Sequence, residues 1–203
     1  MALKLPKILP REDVAKILAV PNISTTLGLR NRTILQVMYR AGLRVQEVCN
    51  LTIEDVNLND GFIYVQAGKG DKDRYIPMDS DTVSWCEKWN VVREKWAADK
   101  GRKLGDQLFC SLKGTELDQR YIRSMLYKIC KAAGVYIRSG KVKKLPSPHN
   151  LRHCCLTELL EDGLDLHEVQ AVAGHASIET TSIYLAVRPH VLAEKMRNRA
   201  APL

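Results

Sequence analysis

Residues 118–133 constrain the fold most strongly. Ile122, Met125, Leu126, Ile129 and Ala133 recur at three- and four-residue spacing, and Arg120, Arg123, Lys128 and Lys131 fall between them. On a helix the apolar set makes one stripe and the cations the opposite one. Such a helix is stable only when its apolar stripe packs on a core, which leaves a cationic face towards solvent. The face is unusual for what it lacks. After Asp118 the next acidic residue is Glu158, and between them lie Arg120, Arg123, Lys128, Lys131, Arg138, Lys141, Lys143, Lys144 and Arg152. A run of like charge is often just a solvated surface. Helical periodicity with no interspersed carboxylate favours a surface for an anion such as a phosphate backbone, whose binding weakens with salt. The formal net charge of +8 points the same way.

The remaining pattern predicts a mostly helical domain. A chain of 203 residues, 45% hydrophobic and 27% charged, is enough for one domain with a substantial core. Helices are expected over the stretch "LPREDVAKIL" bracketed by Pro10 and Pro21, over 26–41 with Leu29, Thr33, Ile34 and Val37 inward, and over "RVQEVCNL". Gly42 is a plausible stop for the second of these. The runs "GFIYVQ" and "RYIPM", joined by "AGKGDKD", read as a β-hairpin, and "DQLFCS" as a short strand. A long helix is expected over 80–100, with Trp85, Trp89 and Trp96 on the core, and further helices over 118–133, 148–162, 165–173, 178–186 and 189–198. No apolar run approaches the roughly 18 residues of a membrane span. The N-terminus shows no long apolar export signal, and the six cysteines have no CxxC spacing. Reduced thiols in a cytoplasm are therefore expected, with no membrane association.

Three local motifs carry candidate chemistry. In "LPSPHNLRH", Ser147 can cap a helix that Pro148 begins, so His149 and Arg152 share a face near its positive end. This pairs a proton-handling imidazole with a fork that can grip a phosphate twice. Alone, His149 reads first as a buried structural histidine, and His153 as a packing or supporting residue. In "RAGLRVQEV", Arg44 follows a glycine turn and Glu47 lies one turn on, where it could hold the guanidinium. In "AGKGDKDR", Lys69 sits between two glycines at a hairpin tip. Taken alone, a surface ion pair and a solvated turn are the better explanations of these last two. A fourth stretch, "GHASIETTSIY", places His175 nine residues before Tyr184.

Taken in order, Arg44, Lys69, His149, Arg152, His175 and Tyr184 resemble the catalytic set of the tyrosine recombinases, the phage-integrase and Xer-like family. The matching pieces are "AGLRVQEVCNLTIEDV", "GKGDKDRYIPM", "HNLRH" and "DLHEVQAVAGHASIETTSIY", spanning about 41–184. Ala173 departs from the leucine common in the family, which touches packing only. The resemblance implies an α+β, mainly α-helical fold with a small three-stranded antiparallel sheet. It implies that 1–203 is a single catalytic domain with a C-terminal tail helix at about 189–199. The N-terminal core-binding domain usual in the family is expected to be absent.

The resemblance also implies a chemistry. Tyr184 would attack a DNA phosphodiester to form a 3′-phosphotyrosyl bond, and a 5′-hydroxyl would leave. Arg44 and Arg152 would grip the non-bridging oxygens, and His175 would hydrogen-bond the phosphate. Lys69 would protonate the leaving oxygen, His149 would assist proton transfer, and Glu47 and His153 would support the site. These demands suit the residue types, because a phosphoryl transition state needs fixed cations and a tyrosine needs a proton removed. Lys72, Arg74, Arg120, Arg123, Lys128, Lys131, Arg138, Lys141, Lys143 and Lys144 are the expected DNA contacts. No metal and no cofactor are expected. The expected partners are double-stranded DNA and copies of the same chain, a tetramer on DNA and a monomer free in solution. A topoisomerase-like relaxing enzyme and an inactive DNA-binding module are the competing readings. A zinc site at His149, His153, Cys154 and Cys155 is disfavoured, because adjacent cysteines on a helix diverge by about 100°.

Overall fold

The computed structural model describes residues 7–66, 73–139, 142–175 and 180–182. The described elements, in order, are α1 (Arg11–Ala19), α2 (Thr26–Arg40), α3 (Val45–Asn50), β1 (Val56–Asn57), β2 (Phe62–Val65), β3 (Arg74–Pro77), α4 (Ser80–Asp99), α5 (Gln119–Ala132), β4 (Ile137–Ser139), β5 (Val142–Lys144), α6 (Pro148–Glu161) and α7 (Leu166–Ala173). The fold is mainly helical with a small antiparallel sheet, as the sequence predicts. Among the described residues no helix is long and apolar enough to cross a membrane.

Helix α2 is the central element and packs against α1, α3, α4 and α6. It is buried on nearly every side, because Leu29, Ile34, Leu35, Val37 and Met38 leave no broad polar face. Its buried polar groups are satisfied internally, as interior polar atoms must be. The Arg30 guanidinium donates to the Cys110 carbonyl at 2.6 Å, and Gln36 Nε2 donates to Asp81 at 2.9 Å. Leu29, Thr33, Ile34 and Val37 all face inward as expected. Of the three tryptophans, Trp89 is fully buried, and Trp85 and Trp96 pack against the core partly exposed.

The sheet runs β1–β2–β3, with Ile63 opposite Ile76 and Val65 opposite Arg74. The two-residue period buries Ile63, Val65, Arg74 and Ile76 on one face. On the other face, the Tyr75 ring lies 5.3 Å from Phe62 and 5.0 Å from Tyr64. A second hairpin, β4–β5, pairs Ile137 with Lys144 and Ser139 with Val142, a segment that carries no expected element in the sequence reading. Its β5 residues are all exposed, so apolar alternation does not announce it.

The expected strand in "DQLFCS" is reduced to isolated bridges, Thr52 with Gln107 and Cys110 with Glu116. Side chains take the carbonyls that a strand partner would need. Trp89 Nε1 donates to the Leu108 carbonyl at 2.8 Å, and Arg93 Nη2 donates to Gly105 and Gln107. The expected helices over 178–186 and 189–198 lie outside the described residues, apart from helical backbone at 180–182.

Three local devices place the candidate functional side chains. Gly42, at φ +63°, stops α2 and turns the chain, and the fully buried Leu43 pins it, so that Arg44 becomes the N-cap of α3. Ser147 N-caps α6, with its backbone N–H and hydroxyl both donating to Asn150 Oδ1 at 2.9 and 2.8 Å, which sets Arg152 one turn in. Asp165 caps α7 by accepting from the His167 and Glu168 backbone N–H groups, and Gly174, at φ +61°, ends it in the left-handed conformation.

Gly42→Ala is expected to destabilise the fold by about 1–3 kcal/mol, because it combines positive φ with crowding. A Cβ at that position would lie 3.1 Å from Cys155 Sγ. Urea denaturation of the variant against the parent chain reads this directly.

Candidate active site

The site is built around the C-terminal end of α7. Three consecutive backbone carbonyls there, those of Val172, Ala173 and Gly174, each accept a hydrogen bond from a different arginine. Arg74 Nε donates to Val172 at 2.9 Å, Arg152 Nη2 donates to Ala173, and Arg44 Nη2 donates to Gly174 at 3.0 Å. The end of a helix carries partial negative charge on such carbonyls, which suits cations. Arg152 Nη1 also donates to the Gly42 carbonyl and so ties α6 to the turn that precedes Arg44. Residues from α3, β3, α6 and the α7 end thereby meet at one place.

A single carboxylate joins two of the three arginines. Glu47 accepts from Arg44 Nη1 at 3.0 Å and from the Arg44 backbone N–H at 2.7 Å. Arg74 Nη2 donates to both Glu47 oxygens, at 2.9 and 2.8 Å. Burial pushes the Glu47 carboxyl upward, but Arg74, the Arg44 N–H and Arg152 outweigh it and hold it below the usual 4.5. Glu47 is therefore a carboxylate at neutral pH. Three guanidiniums against one carboxylate leave the cluster cationic, as a phosphate site requires. Arg152 forms the floor, at 4% exposed, and the Arg44 side chain, at 29%, is the more open wall.

His175 follows Gly174 directly and touches the same cluster. Its Nε2 lies 3.4 Å from Arg152 Nη2, and its Nδ1 lies 3.0 Å from Thr181 Oγ1. A guanidinium has no acceptor, so Nε2 presents its lone pair to Arg152 and Nδ1–H donates to Thr181. The Thr181 hydroxyl can instead donate to Nδ1, which moves the ring proton to Nε2. The imidazole can thus switch between accepting from Arg152 and donating to an incoming oxygen. Burial, followed by Arg152, Arg44, His153 and Arg74, lowers its pKa from 6.5 to about 4. His153 is likewise lowered to about 4 by burial, His149 and Arg152.

The structure brings Arg44, Glu47, Arg152, His153 and His175 together. His149 is exposed on the first turn of α6, so the buried structural histidine is excluded for it. Lys69, Lys72, Lys141 and Tyr184 lie outside the described residues. Arg120, Lys128, Lys131, Arg138, Lys143 and Lys144 are exposed, and Arg123 is half-buried. Arg74 corrects an expectation. It is 7% exposed and bound to Glu47 and Val172, so it lies beneath the site and not on a DNA-facing surface. Its place in the alternation of β3, on the same side as Ile76, was the signal for this. Thr181 and the three carbonyls carry no sequence signal, since backbone acceptors are the same at every residue. Among the described residues no three His, Cys, Asp or Glu side chains gather as a metal site would need.

Comparison with known proteins gives a consistent result. The phage integrase family matches over residues 7–190. Tyrosine recombinase XerD of Pseudomonas aeruginosa is 39% identical over 180 residues, covering 89% of this chain and 57% of that protein. XerD of Listeria monocytogenes is 39% identical over 184 residues, covering 90% and 59%. The chain thus spans less than two thirds of these relatives. Among solved structures, XerA recombinase superposes with a TM-score of 0.78 at 30% identity, over 100% of this chain and 68% of that one. XerH site-specific recombinase, bound to palindromic difH substrate as a post-cleavage complex, gives 0.76 at 32%, over 95% and 53%.

The two lowered imidazoles have a consequence for stability. Between pH 6.5 and about 4 the unfolded chain takes up protons at His153 and His175 that the folded chain refuses. Stability contributed by these groups is therefore complete above pH 6.5 and falls as the pH drops through that window. Denaturation midpoints measured across it are expected to fall, and His175→Asn is expected to flatten the slope. NMR titration of His175 with a midpoint near 6.5 would contradict the burial argument.

Proposed function

The chain belongs to the phage integrase family, and from that premise we propose that it is the catalytic part of a site-specific DNA recombinase. The observation that carries the proposal is the convergence of Arg44 and Arg152 on adjacent carbonyls beside His175. Two oriented guanidiniums and an imidazole that can donate a hydrogen bond at one point suit an in-line attack on a phosphodiester. The cations neutralise the non-bridging oxygens as charge develops on them.

The reaction balances without an external energy source. The Tyr184 hydroxyl loses its proton, to His149 in this reading, and its oxygen attacks phosphorus. The bond from phosphorus to the 5′-oxygen breaks, and Lys69 protonates the leaving oxygen. The phosphotyrosyl ester keeps the phosphodiester linkage intact in energy, so the 5′-hydroxyl of a partner strand can reverse the step on a new end. His175 serves with its proton on Nε2, which the Thr181 hydroxyl permits by accepting or donating at Nδ1. An arriving phosphate also favours the protonated ring, against the burial that lowers its pKa in the free protein.

Double-stranded DNA is the substrate, and the carboxylate-free outer face of α5 suits its backbone through Arg120, Lys128 and Lys131. Four copies acting on two duplexes would complete the exchange. Structures of relatives support DNA as partner, since the XerH complex holds its difH substrate.

A nicked DNA substrate that loses its short 5′-hydroxyl strand on cleavage traps the covalent intermediate. The parent chain is expected to accumulate the adduct and Tyr184→Phe to form none. Arg44→Ala and Arg152→Ala are each expected to slow it roughly 100- to 1,000-fold, as loss of a transition-state charge partner does. An adduct from the Phe variant refutes the assignment of the nucleophile.

A further inference from the structure

Arg74 is the third arginine of the cluster, and the strand-transfer chemistry above gives it no part. It opens β3, and the alternation of that strand turns it inward with Ile76. Its side chain is 6% exposed. Nη2 bridges both oxygens of Glu47, and Nε binds the Val172 carbonyl. Nη1 is buried and has no hydrogen-bond partner among the described residues. The backbone at Gly174 lies against the guanidinium: a Cβ there would sit 2.9 Å from Nη1 and 3.0 Å from Cζ. The glycine is thus required twice, by its positive φ and by this close approach.

These contacts give Arg74 two simultaneous grips. One fixes the carboxylate that orients the Arg44 guanidinium. The other fixes the end of α7, from which the Gly174 carbonyl meets Arg44 and the chain continues into His175. A pair of Arg44 and Glu47 alone, at i and i+3 on a short helix, would be weak and adaptable. With Arg74 buried behind it, Glu47 is held ionised and has little freedom to turn. A residue serving only to fill space would not be a buried cation, because burying an ion costs more than burying an apolar group of the same volume.

We infer that Arg74 is a positioning residue for phosphate recognition, acting through Glu47 on Arg44 and through Val172 on the turn that presents His175, without touching DNA itself. The inference rests on the strand-transfer reading. It assigns to a residue of β3, the strand that follows the Lys69 segment, the task of setting the arginine on α3. The sheet and the helix end are thereby registered to each other before substrate arrives.

The test compares Arg74→Met and Arg74→Lys with the parent chain on two nicked substrates. One carries an ordinary scissile phosphate. The other carries a methylphosphonate there, in which a methyl group replaces a charged non-bridging oxygen and leaves less charge for Arg44 to meet. Arg74→Met is expected to bind the ordinary DNA as the parent does, with the same salt dependence. It is expected to form the covalent adduct roughly 100-fold more slowly, the scale of a misplaced catalytic group. On the methylphosphonate the deficit is expected to shrink to roughly tenfold or less. Arg74→Lys keeps a cation on Glu47 and is expected to recover part of the rate. If Arg74→Met does not fold, as thermal melting would show, Arg74→Lys carries the same two-substrate comparison.

Equal slowing on both substrates would mean general loosening of the fold and would overturn the inference. So would weaker DNA binding with a shallower salt dependence and an unchanged rate, the signature of a direct phosphate contact. Absence of an adduct from the parent chain itself would instead remove the strand-transfer reading on which the inference stands.

Discussion

Three guanidiniums on three successive carbonyls at the end of α7 are the interaction on which the rest of the structure depends. Like charges brought this close would repel strongly in a protein interior. Here the Val172, Ala173 and Gly174 carbonyls and the Glu47 carboxylate supply the opposing charge, each through a directed hydrogen bond. That arrangement needs a helix that stops in the open. Gly174 provides the stop in the left-handed conformation, and its missing side chain leaves room for Arg74. Gly42 does the corresponding work on the other side. It turns the chain after α2 so that its carbonyl meets Arg152 and Arg44 stands as the N-cap of α3. Two glycines and one helix end therefore bring α3, β3 and α6 to one place.

The arrangement is suited to binding an anion without reorganisation. Each arginine is a rigid planar fork, and anchoring its nitrogen atoms to fixed carbonyls orients that plane. His175 is kept neutral by burial and then by the same cations, and Thr181 lets its proton lie on either nitrogen. A cluster of this kind holds its cations in place before an anion enters, which is the preorganisation that the proposed strand transfer would use.

Much of this was legible in the sequence, and the parts that were not have physical reasons. The helices declared themselves through apolar spacing, and α5 matches its stripe: Ile122, Met125, Leu126 and Ile129 are buried, and Arg120, Lys128 and Lys131 are exposed. Arg44, Glu47, Arg152 and His175, which the structure brings together, stand out as candidates because side-chain chemistry is written in the sequence. By charge alone Arg74 reads as a surface contact, because it follows Lys69 and Lys72. Its alternation with Ile76 said otherwise, and period outranks charge when a strand has one buried face. The β4–β5 hairpin leaves no signal in the sequence, because β5 is wholly exposed and no buried face imposes a pattern. The strand expected in "DQLFCS" gave way because Trp89 and Arg93 claim its carbonyls, a long-range event invisible from local composition.

Strand transfer requires a phosphodiester to pass to Tyr184, and direct mapping of the linkage tests that most closely. The trapped complex would be digested with protease and nuclease, and the peptide carrying residual nucleotide sequenced by mass spectrometry. The expected product is a nucleotide joined through its 3′-phosphate to the peptide containing Tyr184. A nucleotide joined through its 5′-phosphate, or carried by a peptide without Tyr184, would contradict it.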